Sequence, residues 1–192
     1  VPSRRSSDLG RRRMPRNLRQ AHSLVINGRV RSQKLTGVQR FAIETVKAID
    51  RLLDNPDFQF FQDGVELLVP NAQLHPIKLR NIHLRQYGRS QGYLWEQVEL
   101  PLGGRRQRLL SLCALGPLVK RRQLVVIHDT TFLVVPEAFS LLARTAYRFL
   151  IPSLARRSAS VATVSAFSQS EIVRHFAIDP DQILMCSESG EH

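Results

Sequence analysis

The side chains best suited to chemistry directly follow a short apolar run. His128 and Asp129 come after Val125-Val126-Ile127. An imidazole at the end of a strand can donate a hydrogen bond to a hydroxyl or a sugar oxygen, and a neighbouring carboxylate can fix its tautomer. A structural histidine beside a capping aspartate explains the pair equally well, so position alone leaves both interpretations open. Because no other His, Cys, Asp or Glu lies at metal-ligand spacing from the pair, we expect no metal site.

A second candidate site lies where a loop runs into an amphipathic helical pattern, at Thr36, Gly37, Val38 and Arg40. A glycine at a helix start lets backbone N–H groups approach a ligand closely, and the helix dipole there favours a phosphate or another anion. Thr36 as an N-cap with Gly37 in the first turn is the purely structural alternative. The chain has neither the glycine-rich dinucleotide motif nor a Walker lysine motif.

A third candidate, Ser165, also follows an apolar run. No nucleophile-elbow motif, G-x-S-x-G, surrounds this serine. We therefore expect Ser165 to form a local turn or to contact a ligand hydroxyl, and not to act as a hydrolytic nucleophile.

Short apolar runs alternate with helical patterns along the chain, and both are bounded by turn residues. The apolar runs that predict strands are Leu24–Ile26, Val65–Val69, Ile82–Tyr87, Leu109–Leu115, Gln123–Ile127, Ser160–Val164 and Ile183–Met185. The predicted helices are one from Thr36–Gly37 to Asn55, a short one at Gly92–Leu100 broken by Pro101, one over about Ala138–Arg157 interrupted near Pro152, and one from the capping-box pair Ser168 and Glu171 to Phe176.

This alternation predicts an α/β fold with an open, mostly parallel sheet, in which Val125–Ile127 is a central strand buried on both faces. Ligands of such sheets bind at the carboxyl ends of the strands, so Gly37 and His128 are expected to converge on one cleft. Residues 1–20 are rich in Arg, Ser and Pro, and we expect a disordered basic leader there. Residues 21–192 are expected to form one domain.

The composition is that of a globular protein, with 43% hydrophobic and 23% charged residues. The net charge is +12, and a third of this excess lies in residues 1–13. The remaining charge forms short arginine clusters beside apolar segments, which are either solvated element ends or a surface that attracts anionic lipid or a phosphorylated substrate. Cys113 and Cys186 match no metal or redox spacing, so we expect two buried free thiols.

These motifs, in this order, resemble a known family. The chain is similar to the N-terminal domain of glycosyltransferase family 4, the group 1 glycosyltransferases of the GT-B type. The resemblance extends over about Leu24 to Met185 and is carried by Asn27-Gly28-Arg29, Thr36-Gly37-Val38-Gln39-Arg40, Val126-Ile127-His128-Asp129, Pro136-Glu137-Ala138-Phe139-Ser140, Ala155-Arg156-Arg157-Ser158-Ala159 and Thr163-Val164-Ser165-Ala166-Phe167-Ser168.

The resemblance implies a Rossmann-like domain with helices on both faces of the sheet, the N-terminal half of a GT-B fold. It implies transfer of a sugar, with retention, from a nucleotide-sugar donor to a saccharide or lipid-linked acceptor, without a metal or other cofactor. The family's glycine loop, near the donor diphosphate and the acceptor, falls on Thr36, Gly37 and Val38. The family's strand-tip histidine, which contacts the transferring sugar, falls on His128.

The chain departs from this family at its end, which lacks the usual Pro-Asn-Gly turn, and the C-terminal donor domain is absent from it. We therefore expect the chain alone to be inactive. The expected location is the cytoplasm, since no secretory signal is apparent, with peripheral contact to anionic lipid at the inner face of the membrane as a further interpretation. A sugar-nucleotide epimerase of the same fold and a basic nucleic-acid-binding α/β module are the alternatives, although no row of aromatic residues favours nucleic acid.

Overall fold

The computed structural model describes residues 23–58, 64–134 and 141–186. Its centre is one seven-stranded sheet in which every neighbouring pair is parallel, with strand order β3-β2-β1-β4-β5-β6-β7. The strands are β1 (Leu24–Asn27), β2 (Val65–Val69), β3 (His83–Gln86), β4 (Arg108–Ser111), β5 (Gln123–Val126), β6 (Ser160–Thr163) and β7 (Ile183–Met185). The predicted α/β class and parallel sheet are thus confirmed.

The helices fall on both faces of this sheet. They are α1 (Gly37–Leu52), α2 (Gly92–Leu94), α3 (Leu100–Gly103), α4 (Thr131–Val134), α5 (Leu141–Arg157) and α6 (Ala166–Phe176). A π-turn, Trp95–Glu99, joins α2 to α3, and we call residues 92–103 the Trp95 segment. Three 3-10 turns complete the described elements: Gly28–Ser32, Pro56–Phe58 and Pro180–Gln182.

Alternate side chains of each strand pack into the cores on opposite faces of the sheet, because successive side chains of a strand point to opposite faces. On the first face, Ile26 and Val126 pack with Ala42 and Val46 of α1. On the second face, the core under α5 and α6 is built from Val125, Val161, Ile151, Leu154, Ile172 and Phe176. The core under the Trp95 segment, on the same second face, is built from Val25, Leu68, Leu109, Trp95 and Leu100. The strands at the centre are therefore buried on both sides, as their uninterrupted apolar runs predict.

Two helix boundaries differ from prediction. Pro101 does not break the Trp95 segment, because it lies in the first turn of α3, where its missing N–H is not needed. The last helix begins at Ala166, and its N-cap is Ser165, whose Oγ accepts a hydrogen bond from the Ser168 backbone N–H. Ser168 is therefore inside the helix, and the capping-box interpretation of Ser168 and Glu171 is wrong.

Pro152 does not interrupt α5, which runs from Leu141 to Arg157. The predicted start of this helix near Ala138 lies outside the described residues, as do the predicted leader and the Pro136–Ser140 motif. Within the described parts of the chain, no helix is both long enough and apolar enough to cross a bilayer.

The two cysteines are unbonded, as predicted, but only one of them is sheltered. Cys113 is half-buried, whereas Cys186 is exposed, and its predicted burial is wrong. The reason is that Cys186 follows β7, the edge strand of the sheet, where Leu184 and Met185 are also about half exposed.

A buried carboxylate joins the end of α1 to the start of β3. Asp50 accepts hydrogen bonds from the backbone N–H groups of Arg80, Asn81 and Ile82 at 2.8 to 2.9 Å. Burial raises the pKa of Asp50, but these three donors outweigh that effect, and the net pKa lies below its ordinary 3.8. Asp50 therefore holds in place the segment that leads into the sheet edge.

We predict that this carboxylate makes the fold acid-sensitive. Because its folded pKa is depressed, Asp50 stabilises the fold fully above pH 3.8, and this contribution is lost as the pH falls through the lower folded pKa. Asp50→Ala should cost about 2–3 kcal/mol in urea unfolding at pH 7, and the difference from wild type should shrink in acid. Glu44→Ala, which removes only an exposed ion pair with Lys47, is the control and should cost less than about 1 kcal/mol. A pH-independent difference for Asp50→Ala would contradict this assignment.

Candidate functional site

The strand order reverses between β1 and β4, and this creates a crevice at their carboxyl ends. The chain leaves β1 toward β2 on one side, and later returns to add β4 on the other side. Loops after neighbouring strands then diverge to opposite faces, and ligands of open α/β sheets bind in the space between them. Asn27 ends β1 and Gly28 follows it at this point, and Leu112 and Cys113 follow β4.

The helix start beside this crevice is open to solvent. Thr36 is the N-cap of α1, and the Gln39 side chain accepts from the Thr36 backbone N–H at 3.2 Å, which confirms the capping interpretation. Thr36 and Gly37 are exposed. A Cβ atom added to Gly37 would meet no atom within 4 Å, so a ligand has room to approach the first N–H groups of a 16-residue helix.

His128 lies against the same helix. Its Nε2 is 2.8 Å from the carbonyl oxygen of Leu112, at the end of β4. Its ring packs edge-on against Phe41, one helical turn beyond Gly37, with ring centroids 4.7 Å apart. The imidazole is only 8% exposed, so it is a packed part of the crevice wall and not a free strand-end side chain.

Cys113 connects the two sides of the crevice. Its Sγ lies 3.8 Å from the carbonyl oxygen of Val38, in the first turn of α1. Burial, followed by the nearby Glu96 carboxylate, raises the pKa of this thiol to about 12. Cys113 is therefore a protonated, unreactive thiol that packs beneath the start of α1.

The other candidates have local structural partners. Asp129 accepts a hydrogen bond from the Thr131 N–H at 2.9 Å, at the start of α4. Ser165 caps α6 at the end of β6, which is separated from β4 by β5. Arg40 is exposed on α1, three residues after Gly37. The structure therefore places His128 against α1, the helix that begins at Gly37, and places Ser165 at the end of β6, two strands away from β4.

Sequence reasoning missed a buried ion pair on the second face of the same edge. Glu96 accepts from Arg29 Nη1 at 2.6 Å and from Asn27 Nδ2 at 2.7 Å. The Arg29 guanidinium also stacks over the Tyr93 ring, 4.3 Å from its centroid. We call Asn27, Arg29, Tyr93 and Glu96 the Arg29–Glu96 cluster. It fixes the loop after β1 to the Trp95 segment.

The cluster extends toward α5. Burial, followed by a hydrogen bond with Tyr93, raises the pKa of Tyr147. The Tyr147 ring packs edge-on against Phe132 of α4, with centroids 5.8 Å apart. One signal in the sequence could have exposed this network, namely a glutamate on the apolar side of the Trp95 segment, between Trp95 and Leu100, where an ionised side chain requires a partner.

Fold and crevice together define a Rossmann-like, doubly wound α/β domain with a candidate ligand site at its topological switch point. No model of a known protein family matches the chain, and no curated protein sequence matches it significantly. Among the described residues, no group of three or more His, Cys, Asp or Glu side chains is arranged to hold a metal ion.

We predict that Arg29→Met destabilises the protein in a pH-dependent way. The substitution leaves the Glu96 carboxylate buried without its cation, at a cost of about 3–5 kcal/mol at pH 7. Burial already raises the pKa of Glu96 above its ordinary 4.5, so its contribution is fully stabilising below pH 4.5 and is lost as the pH rises through the folded value. Without Arg29 the folded pKa rises further, and urea unfolding between pH 5 and 8 should show a steeper loss than in wild type.

The variant Arg29→Met with Glu96→Gln provides the control for this titration. It should remove most of the added pH dependence, because no titrating carboxyl then remains in the cluster. Parallel stability curves for wild type and Arg29→Met would show that the pair does not carry the electrostatic coupling described above.

Thiol labelling gives a second prediction. In the native protein at pH 8, one thiol should react rapidly with a disulfide reagent, because Cys186 is exposed while the pKa of Cys113 is about 12. Cys186→Ser should remove the fast reaction, whereas Cys113→Ser should retain it. Fast labelling of Cys113 in the folded chain would mean that the floor of the crevice is open.

Proposed function

We propose that this chain is the acceptor-side half of a retaining GT-B glycosyltransferase that resembles family 4. The observation that carries the proposal is that the helix start at Gly37 is unobstructed and that the His128 imidazole packs against Phe41, one turn farther along the same helix. A transferase that uses a nucleotide-sugar needs hydrogen-bond donors for the diphosphate and a polar side chain beside the sugar. In this proposal the helix start supplies the hydrogen-bond donors, and His128 is the side chain beside the sugar.

The chemistry follows from where charge develops. When the bond between the sugar and the diphosphate breaks, negative charge accumulates on the leaving phosphate oxygens, and preorganised N–H donors stabilise it. The first turn of α1 presents such donors, together with the positive end of the helix dipole. Arg40 is exposed on the same helix, three residues after Gly37, and adds a positive charge.

In this proposal His128 is a sugar-side contact held in a fixed orientation. The Leu112 carbonyl and the Phe41 ring restrict the imidazole, which lowers the entropy cost of using it. Asp129 is assigned a supporting role only, since its carboxylate accepts from the Thr131 backbone. The acceptor would enter the crevice beside β1, and a second domain would supply most of the donor contacts.

We predict that nucleotide-sugars perturb the start of α1. In NMR titrations of the ¹⁵N-labelled chain with UDP- and GDP-sugars, the amide signals of Gly37 and Val38 should shift most, because their N–H groups lie in the first turn of α1, whose start at Thr36 and Gly37 is exposed. Gly37→Val should weaken the response at least about tenfold while leaving unfolding unchanged within about 1 kcal/mol, since the added Cβ atom meets no neighbour. No shift at these amides with any donor would contradict the site.

A second variant tests the imidazole. His128→Ala should weaken donor or acceptor binding about tenfold or more. The ring is buried, so the variant should also lose about 1–3 kcal/mol of stability. His83→Ala, at an exposed position on the edge strand β3, is the matched control and should leave binding unchanged. Equal effects of the two histidine variants would refute the role of His128.

Product analysis separates the alternatives. A transferase paired with its donor domain should form a new glycosidic bond, whereas an epimerase should alter the nucleotide-sugar without consuming an acceptor. A nucleic-acid-binding module should instead retard random duplex DNA with a strong dependence on salt.

A further inference from the structure

The outer side of the Trp95 segment carries a row of exposed apolar residues. Leu94, Val98 and Leu102 are 62%, 48% and 58% exposed, whereas Trp95 and Leu100 on the inner side are fully buried. A spacing of four residues in a helical segment places the three side chains above one another. Single exposed aliphatic residues are ordinary on protein surfaces, but a contiguous row indicates an interaction surface.

A neighbouring loop extends this row. The Gln97 side chain donates to the Gly116 carbonyl at 2.9 Å and accepts from the Leu118 N–H at 3.1 Å. The Lys120 ammonium turns inward and donates to the Gly104 carbonyl at 2.6 Å. Residues 116–120 are thus held at one end by Gln97 of the Trp95 segment and at the other by Gly104, which directly follows that segment, and Val119 between them is 71% exposed.

Arginines border the apolar row. Arg105 and Arg106 follow the Trp95 segment, and Arg121 and Arg122 follow Lys120; all four are exposed. The two pairs are brought together at the amino ends of β4 and β5, where the Leu109 N–H donates to the Arg122 carbonyl at 3.0 Å. We call the apolar row, Val119 and these arginines the outer basic surface.

Within the segments that form the outer basic surface, residues 92–106 and 116–122, no acidic side chain pairs with its arginines. The sequence contains no Asp or Glu between Glu99 and Asp129. Glu96 is buried in its pair with Arg29. Glu99 accepts from the Arg89 and Ser90 N–H groups and from the Ser90 hydroxyl, on the loop that precedes the Trp95 segment.

The combination of aliphatic and cationic side chains identifies the partner. A nucleic acid would neutralise the arginines but would leave Leu94, Val98 and Leu102 against phosphates or water. At the surface of an anionic bilayer, aliphatic side chains enter the boundary between headgroups and acyl chains, while arginines meet the lipid phosphates. We propose that the outer basic surface docks this protein on an anionic phospholipid bilayer. It lies apart from the Gly37–His128 crevice, so it does not depend on the proposed transfer reaction.

Vesicle co-sedimentation of the whole chain tests the docking. We expect binding to phosphatidylcholine vesicles that contain about a third phosphatidylglycerol, little binding to pure phosphatidylcholine, and weaker binding as salt rises well above about 0.1 M. The variant Leu102→Ser with Arg105→Ala should lower the partition coefficient at least about tenfold. The matched control is Leu52→Ser with Arg51→Ala, which removes an exposed leucine and an exposed arginine from α1 on the first face.

A fluorescent reporter tests insertion directly. The single native tryptophan, Trp95, is buried, so Leu102→Trp adds a reporter on the outer side of the same segment. Its emission should shift to shorter wavelengths with anionic vesicles but not with neutral ones. Urea unfolding of each variant is the folding control, and we expect the stability to remain within about 1 kcal/mol of wild type.

Three results would overturn the proposal. Equal losses in the two paired variants would mean that charge alone causes adsorption. Tighter binding to random duplex DNA than to vesicles, unaffected by Leu102→Ser, would identify a nucleic-acid surface. A concentration-dependent dimer that Leu102→Ser abolishes, without any vesicle binding, would mean that a second copy covers the apolar row.

Discussion

The handedness of parallel crossovers is the constraint on which the arrangement of the molecule depends. A connection between parallel strands is right-handed, so the direction in which the chain adds strands decides which face receives the connecting helix. From β1 to β2 the chain moves one way and places α1 on the first face. From β4 onward it moves the other way and places α5 and α6 on the second. The crevice between β1 and β4 is a direct geometric result of that reversal.

The reversal also creates a structural problem, which the Arg29–Glu96 cluster solves. The loop after β1 leaves the sheet where the two layers diverge, so Val30 packs into the first-face core while Asn27 and Arg29 extend toward the Trp95 segment on the second face. A buried ion pair is costly to desolvate, and its value lies in fixed geometry more than in net stability. The Glu96 carboxylate meets this geometric requirement because it accepts hydrogen bonds from both Asn27 and Arg29. Glu96 lies in a π-turn, and this fits its role. A π-turn changes the direction of the side chains relative to a regular α-helix, and such turns are frequent at functional sites.

The sequence predicts the buried strands well because a parallel strand covered on both faces must be apolar at consecutive positions. Val65–Val69 is found with the predicted bounds. The edge strand Ile183–Met185 also has the predicted bounds, although Leu184 and Met185 are about half exposed. Strand order cannot be obtained in this way, since it depends on pairings between residues distant in the chain, such as Leu24 with Arg108. For the same reason the partner of Glu96, which lies 67 residues away, could not be identified. Arginine clusters that are separate in sequence meet in space for this topological reason too.

Two glycines beside the crevice show how structural and ligand-related demands can be separated. A Cβ atom on Gly28 would lie 2.5 Å from the Leu68 carbonyl oxygen, so packing of β1 against β2 is sufficient to require glycine there. At Gly37 a Cβ atom would meet nothing, and alanine would favour the helix more than glycine does. The fold therefore has no need of a glycine at position 37. A glycine at this exposed helix start, where alanine would be more stable, is explained if a ligand approaches the backbone there. The same helix start lies one turn from Phe41, which packs against His128.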